Sequence, residues 1–234
     1  MNHTRRVRRA EQRHRGDVGA VLHAYGDIPG TGTRVGFVVS WAVMSAITFI
    51  NPGETAALAV APTIAFALIG LVIWLLLSSE RLLVCERGLV VGSVGVGLRP
   101  YVIRYEQIAP GTLVPLTGAH RYSKQTGTAG DVSRTKRAYW WTRSAIHFMG
   151  PLHFLSRSGQ AAAAARPVGA YAAGSVGPWL VGTGRTPPQD VVAQIARAAS
   201  GVGVGALAVA ASEPVRELSG NPADVSRQLP GHRG

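Results

Sequence analysis

The sequence predicts a membrane α-helical hairpin followed by an α+β domain, a small antiparallel β-barrel or sandwich closed by one C-terminal helix. Three observations carry that expectation. The chain has 234 residues, is 47% hydrophobic and still has a formal net charge of +12, because its apolar residues are gathered into uncharged runs at 35–50 and 56–77. Beyond Ser78 the hydrophobic period falls from helical to two. Near the C-terminal end, Thr186-Pro187-Pro188 opens an amphipathic run.

The first segment, 1–33, is read as a disordered basic arm that holds Arg5, Arg6, Arg8, Arg9, Arg13 and Arg15. Its charges suit anionic headgroups or phosphate, or serve only to set topology. No aromatic residue interleaves with these arginines, which weighs against specific single-strand binding.

Residues 34–78 are expected to form two spans, about 34–50 and 56–77. The second uncharged run has 22 residues, roughly 33 Å of helix, against a hydrocarbon core of about 30 Å. Asn51-Pro52-Gly53 supplies the turn between them. Arg5, Arg6, Arg8 and Arg9 precede the hairpin, Arg81 follows it, and the connection carries only Glu54. By the positive-inside rule both termini are expected in the cytoplasm, with the chain in the inner membrane.

A β-domain is expected over 80–200. Arg81–Glu86 and Leu89–Val96 read as a strand pair around Arg87-Gly88, and Tyr101–Glu106 alternates cleanly. Further strands are expected at Tyr139–Thr142, Ala145–Phe148, His153–Leu155 and Pro178–Gly182, with insertions near 115–138 and 157–177. Val192, Ile195, Ala196 and Ala199 give the following helix its apolar face, and Ser200-Gly201 ends it. The Gly- and Pro-bearing tail 201–234 is read as disordered.

The order of an Arg-rich start, a helical hairpin, the strands ERLLVCERGLVV and LRPYVIRYEQI, and the closing GPWLVGTGRTPPQDVVAQIARA resembles bacterial PH-like (pleckstrin-homology-type) membrane proteins. The resemblance covers roughly 34–200. It implies a PH-like fold that serves as an interaction or scaffold module, and it implies no catalytic residues.

Arg134, Lys136, Arg137 and Arg143 lie beside Tyr139, Trp140 and Trp141, a pattern suited to an anionic surface. The same residues read equally as a solvated loop and core aromatics. From Arg81 to Arg185 there are 13 basic residues and three acids, Glu86, Glu106 and Asp131, which leaves little for general acid/base work. His147, His153 and Cys85 match no metal-ligand spacing, and Gly92, Gly95 and Gly97 form no phosphate-binding fingerprint. No enzyme, cofactor or metal is therefore expected. The expected partners are the lipid bilayer, anionic lipid and an unidentified protein, with nucleic acid disfavoured. The functional expectation is a non-catalytic binding or scaffold module at the inner membrane surface. The rivals are an accessory subunit of a membrane transport or secretion complex, and a membrane tether for nucleic acid.

Overall fold

The computed structural model describes residues 4–27, 30–50, 56–94, 100–122, 136–139, 141–151, 176–219, 221 and 227–231. The chain divides into two compact units, one made of Met1–Asp27 with Glu80–Gly234 and the other of Ile28–Ser79.

The larger unit begins with helix α1 (Arg5–Val18) and strand β1 (Val21–Tyr25), within the stretch expected to be a disordered arm. Gly19 ends the helix at φ 80°, a conformation that suits glycine. Strands β2 (Glu80–Cys85), β3 (Gly88–Ser93) and β4 (Tyr101–Arg104) continue from β1 into an antiparallel sheet of order β1-β2-β3-β4. The second sheet contains β5 (Val114–Thr117), β6 (Lys136–Arg137), β7 (Ser144–Pro151), β8 (Val176–Gly182) and β9 (Arg216–Glu217), in the order β6-β8-β7-β5-β9. Helix α4 (Pro188–Gly201) starts on a proline in its first turn, a position where no N–H is missed.

Burial explains why the first sheet's sequence runs apolar without alternating. Leu82, Val84, Leu89, Val91, Tyr101 and Ile103 enter the main core. Leu83, Cys85, Val90 and Val102 point the other way and are covered by Val7, Ala10 and Val18 of α1. A strand buried on both faces has no polar face to show. The main core is completed by Phe148, Trp179 and the α4 residues Val191, Val192, Ile195 and Ala199. Phe148 stacks on Trp179 at 6.1 Å between ring centroids, and Tyr101 meets Trp179 edge-on at 5.3 Å. The Trp179 indole donates to the Pro151 carbonyl at 2.9 Å, which satisfies its one polar atom.

The tail, expected to be disordered, also packs. Leu207 and Ala210 join the main core, while Leu218 and Leu229 cover Val114, Leu116, Ala145 and Leu180 on the outer face of the second sheet.

The smaller unit consists of α2 (Thr31–Ile50) and α3 (Ala56–Ser78). Phe37 packs on Trp74 at 6.1 Å and Arg34 lies 5.8 Å from the Trp74 ring centroid, so the start of α2 lies beside the end of α3 and the pair is antiparallel.

Two expectations about architecture are corrected. Among the described residues no helix is long and apolar enough to cross a membrane. The two-span hairpin, the inner-membrane localisation and the topology assigned to Arg5, Arg6, Arg8, Arg9 and Arg81 fall with it. The closed antiparallel barrel is replaced by two open sheets, the second of them mixed: β5 pairs with β9 and β6 with β8 in parallel. Period-two patterning reports which face is buried, and it is silent about which edges meet.

Candidate functional site

The strongest gathering of polar groups lies inside the larger unit, between its two sheets. Glu80 opens β2 and stands in register with Ser93, the last residue of β3. That pairing brings the Ser93 hydroxyl to donate to Glu80 Oε1 at 3.0 Å. Arg137, in register with Val181 of β8, donates from Nη1 to the same oxygen at 3.0 Å. Its guanidinium also lies 5.1 Å from the Tyr101 ring centroid. Asp27, just after β1, accepts a hydrogen bond at Oδ2 from the Thr142 hydroxyl, and Thr142 Oγ1 in turn accepts the Tyr139 N–H at 2.8 Å. Gly182 is required by this approach, since a Cβ there would sit 2.5 Å from Asp27 Oδ2.

The electrostatics follow from burial. Asp27 and Glu80 are each 7% exposed. Burial raises the Asp27 pKa above the usual carboxylate range; the Thr142 hydrogen bond opposes this and the nearby Glu80 charge adds to it. Burial alone would lower the Arg137 pKa, but Glu80, Tyr101 and Tyr139 outweigh it and keep the group firmly cationic. Arg81 is lowered by burial and by Arg6, with Glu80 acting the other way, and it donates from Nη1 to the Glu80 carbonyl at 2.6 Å. The Tyr139 hydroxyl is pushed up to about 12, chiefly by burial.

Asp27, Glu80, Arg81, Leu82, Arg137, Val181 and Gly182 line a cavity of about 10 Å³. That is room for about one water and for no organic substrate. Among the described residues Glu80 Oε2 and Arg137 Nε have no hydrogen-bond partner. The cluster therefore holds the two sheets together by charge, and its dimensions suit a water or a proton.

The residues singled out in the sequence are placed differently from one another. Arg134 lies outside the described residues. Lys136 belongs to β6, and only its backbone is described. Arg137 turns inward to Glu80, and Arg143 is exposed. Arg137 therefore does not share an outward surface with Arg143. Cys85 is buried with its thiol pushed up to about 12, mainly by desolvation, and His147 is buried with Nε2 3.1 Å from the Pro230 carbonyl oxygen. His153 lies outside the described residues. Among the described residues no group of three or more His, Cys, Asp or Glu is placed to hold a metal. Sequence reading missed Asp27, Glu80 and Thr142. A lone acid beside an apolar run reads as a solvated flank, and only the fold turns both acids inward.

The smaller unit presents a different surface. Its helices leave Val35, Val38, Val39, Val43 and Ile47 on α2, and Leu68, Ile69, Leu71 and Val72 on α3, each more than half exposed. Between the helices runs an apolar groove of about 300 Å³, walled by Phe37, Val38, Trp41, Ala67, Leu71 and Trp74 with Arg34 at its end.

Comparison with known proteins adds no relative: no protein-family model, no curated protein and no solved structure matches the chain. The resemblance to PH-like membrane proteins is corrected accordingly. The two open sheets and the lack of any spanning helix among the described residues do not support it, and the scaffold role at the inner membrane goes with it.

Proposed function

We propose that this chain is a non-catalytic assembly protein whose α2–α3 hairpin docks against the hairpin of a second copy to form a four-helix bundle. The observation that carries the reading is the row of large apolar side chains left exposed on α2 and α3. Such a surface exceeds what a free monomer normally shows and marks an interaction site. A helix that is apolar all round is covered on every side in its working state, and α2 covers only one side of α3. The partner surface must be equally free of charge. Within this chain the hairpin itself offers one, because the groove and the protruding Leu68, Ile69 and Val72 lie on the same pair of helices. A self-complementary patch of this kind closes on a two-fold axis, and two antiparallel hairpins make a four-helix bundle.

The test is the mass of the full chain by light scattering, with Val38→Glu/Leu71→Glu as the variant. The expected outcome is twice the chain mass of 24.6 kDa for the wild type and a single chain mass for the variant. A wild type that is monomeric at tens of micromolar overturns the reading. So does a chain that stays unassociated until lipid vesicles cover the same face.

A further inference from the structure

We propose that the outer face of α1 binds the phosphate backbone of duplex nucleic acid, by charge and without sequence preference. The inference is independent of the hairpin reading and rests on the other unit. In the sequence, the arginines look scattered along an arm. In the structure they are gathered. Val7, Ala10, His14 and Val18 form the buried stripe of α1, and Arg5, Arg6, Arg8, Arg9, Arg13 and Arg15 are all exposed. At 3.6 residues per turn these six arginines fill roughly the half of the helix opposite that stripe, over roughly 15 Å. Arg87, also exposed, adds a cation at the C-terminal end of α1, donating from Nη2 to the Gly16 carbonyl at 3.0 Å.

The arrangement works against the helix that carries it. The first turn holds Arg5, Arg6 and Arg8 with no acidic residue and no side-chain cap, so cations sit at the positive end of the helix dipole. Arg5 and Arg9, and Arg9 and Arg13, are like-charged neighbours at i,i+4, which is also destabilising. A charge array that costs the fold stability is relieved by a bound polyanion.

Duplex nucleic acid fits that array better than the alternatives. It presents one negative charge per ~1.7 Å of axis, and guanidinium groups pair with phosphate in two-pronged fashion. The outer face of α1 carries no aromatic residue on which single-stranded bases would stack. An interfacial helix lying in a lipid surface needs its apolar stripe free to enter the acyl boundary. Here that stripe is already spent, with Val7 3%, Ala10 7% and Val18 0% exposed against the sheet.

The experiment is fluorescence anisotropy of the full chain with a labelled random-sequence duplex of about 20 base pairs between 50 and 200 mM salt. With about five phosphates neutralised, the log–log salt slope is about −4.5, a loss of roughly 500-fold across that range. Arg5→Gln/Arg6→Gln/Arg9→Gln flattens the slope to about −2, since each phosphate contact removed takes away about one. Arg185→Gln/Arg197→Gln/Arg227→Gln removes the same net charge from exposed positions elsewhere and leaves the slope within about one of the wild type. The α1 variant melts no lower than the wild type, because like-charge repulsion is relieved, and the matching Lys triple variant restores the slope. Equal flattening in both Gln variants overturns the proposal, as does the absence of a complex at 50 mM salt. Retention by anionic vesicles with no affinity for the duplex overturns it as well.

Discussion

The two units are built from the same kinds of residue and treat them in opposite ways. In the β-rich unit Leu82, Leu83, Leu89, Val91 and Ile103 are at most 1% exposed, whereas Val38, Leu68, Ile69 and Leu71 of the hairpin are between 52% and 60% exposed. Hydrophobicity is the same on both sides of that comparison. What differs is that sheet and helix faces in the larger unit find partners within the chain, while two helices alone can cover only one stripe of each other. Apolar composition states how much surface must be covered; the fold states whether the chain covers it.

The comparison breaks first, and with the largest effect, at Trp179. Trp179→Ala opens a cavity against Phe148 and Tyr101 and should cost about 3–5 kcal/mol, lowering the melting temperature by roughly 10 °C in thermal denaturation followed by circular dichroism. Slightly below it comes Arg137→Ala, which strips the cation from a Glu80 that is 7% exposed; about 3 kcal/mol is the expected loss. A double-mutant cycle with Glu80→Ala isolates the pair, and additive losses would show that Arg137 acts by packing alone.

Two titrations sharpen the picture with opposite signs. Asp27 has a folded pKa raised mainly by burial, so the native state holds its proton more tightly than the unfolded chain. Its contribution is full below the unfolded pKa and is lost as pH rises through the folded one. Asp27→Asn should therefore gain on the wild type in melting temperature as pH is raised from 4 to 7, and a constant gap would refute this. His14 is lowered below its ordinary 6.5, first by burial, with Asp17 opposing. Its native state disfavours the proton, so stability falls as pH drops below 6.5 and the fall disappears in His14→Gln. The smallest effect belongs to an apolar side chain of the larger unit that nothing covers: Val209→Ala should change the unfolding free energy by no more than about 0.5 kcal/mol, because the side chain is already 64% exposed. A loss like that of Trp179→Ala would show that burial does not set the cost of a substitution in this chain.

Much of the element pattern was legible along the chain. The β2–β3 pair falls at 80–93 around the Arg87-Gly88 turn, α2 and α3 occupy the two uncharged runs, and the last long helix begins at Pro188. These elements carry local signals: a turn dipeptide, an unbroken apolar run, a proline in a first turn. Helix α1 was not legible because its apolar stripe consists of Val7, Ala10, His14 and Val18, too sparse to stand out among six arginines until a sheet face lies beneath it. The tail was missed for a similar reason. Leu207, Leu218 and Leu229 are isolated in a Gly- and Pro-bearing stretch, and each becomes a core residue only where the fold leaves a gap of its size.

The candidate ion cluster was hidden more deeply. Asp27 and Glu80 are 53 positions apart, Arg137 another 57 beyond Glu80, and Thr142 is 115 from Asp27. No spacing rule connects them, since strand register and sheet packing bring them together. By itself the sequence determined the net charge, the two apolar helices and the paired strands, because each depends on neighbours within a few residues. Only the tertiary structure decided that α1 is ordered, that Arg137 turns inward to Glu80 and that the sheets stay open. Those outcomes depend on contacts between distant segments, where burial makes an unpaired charge costly and decides which partner each group must find.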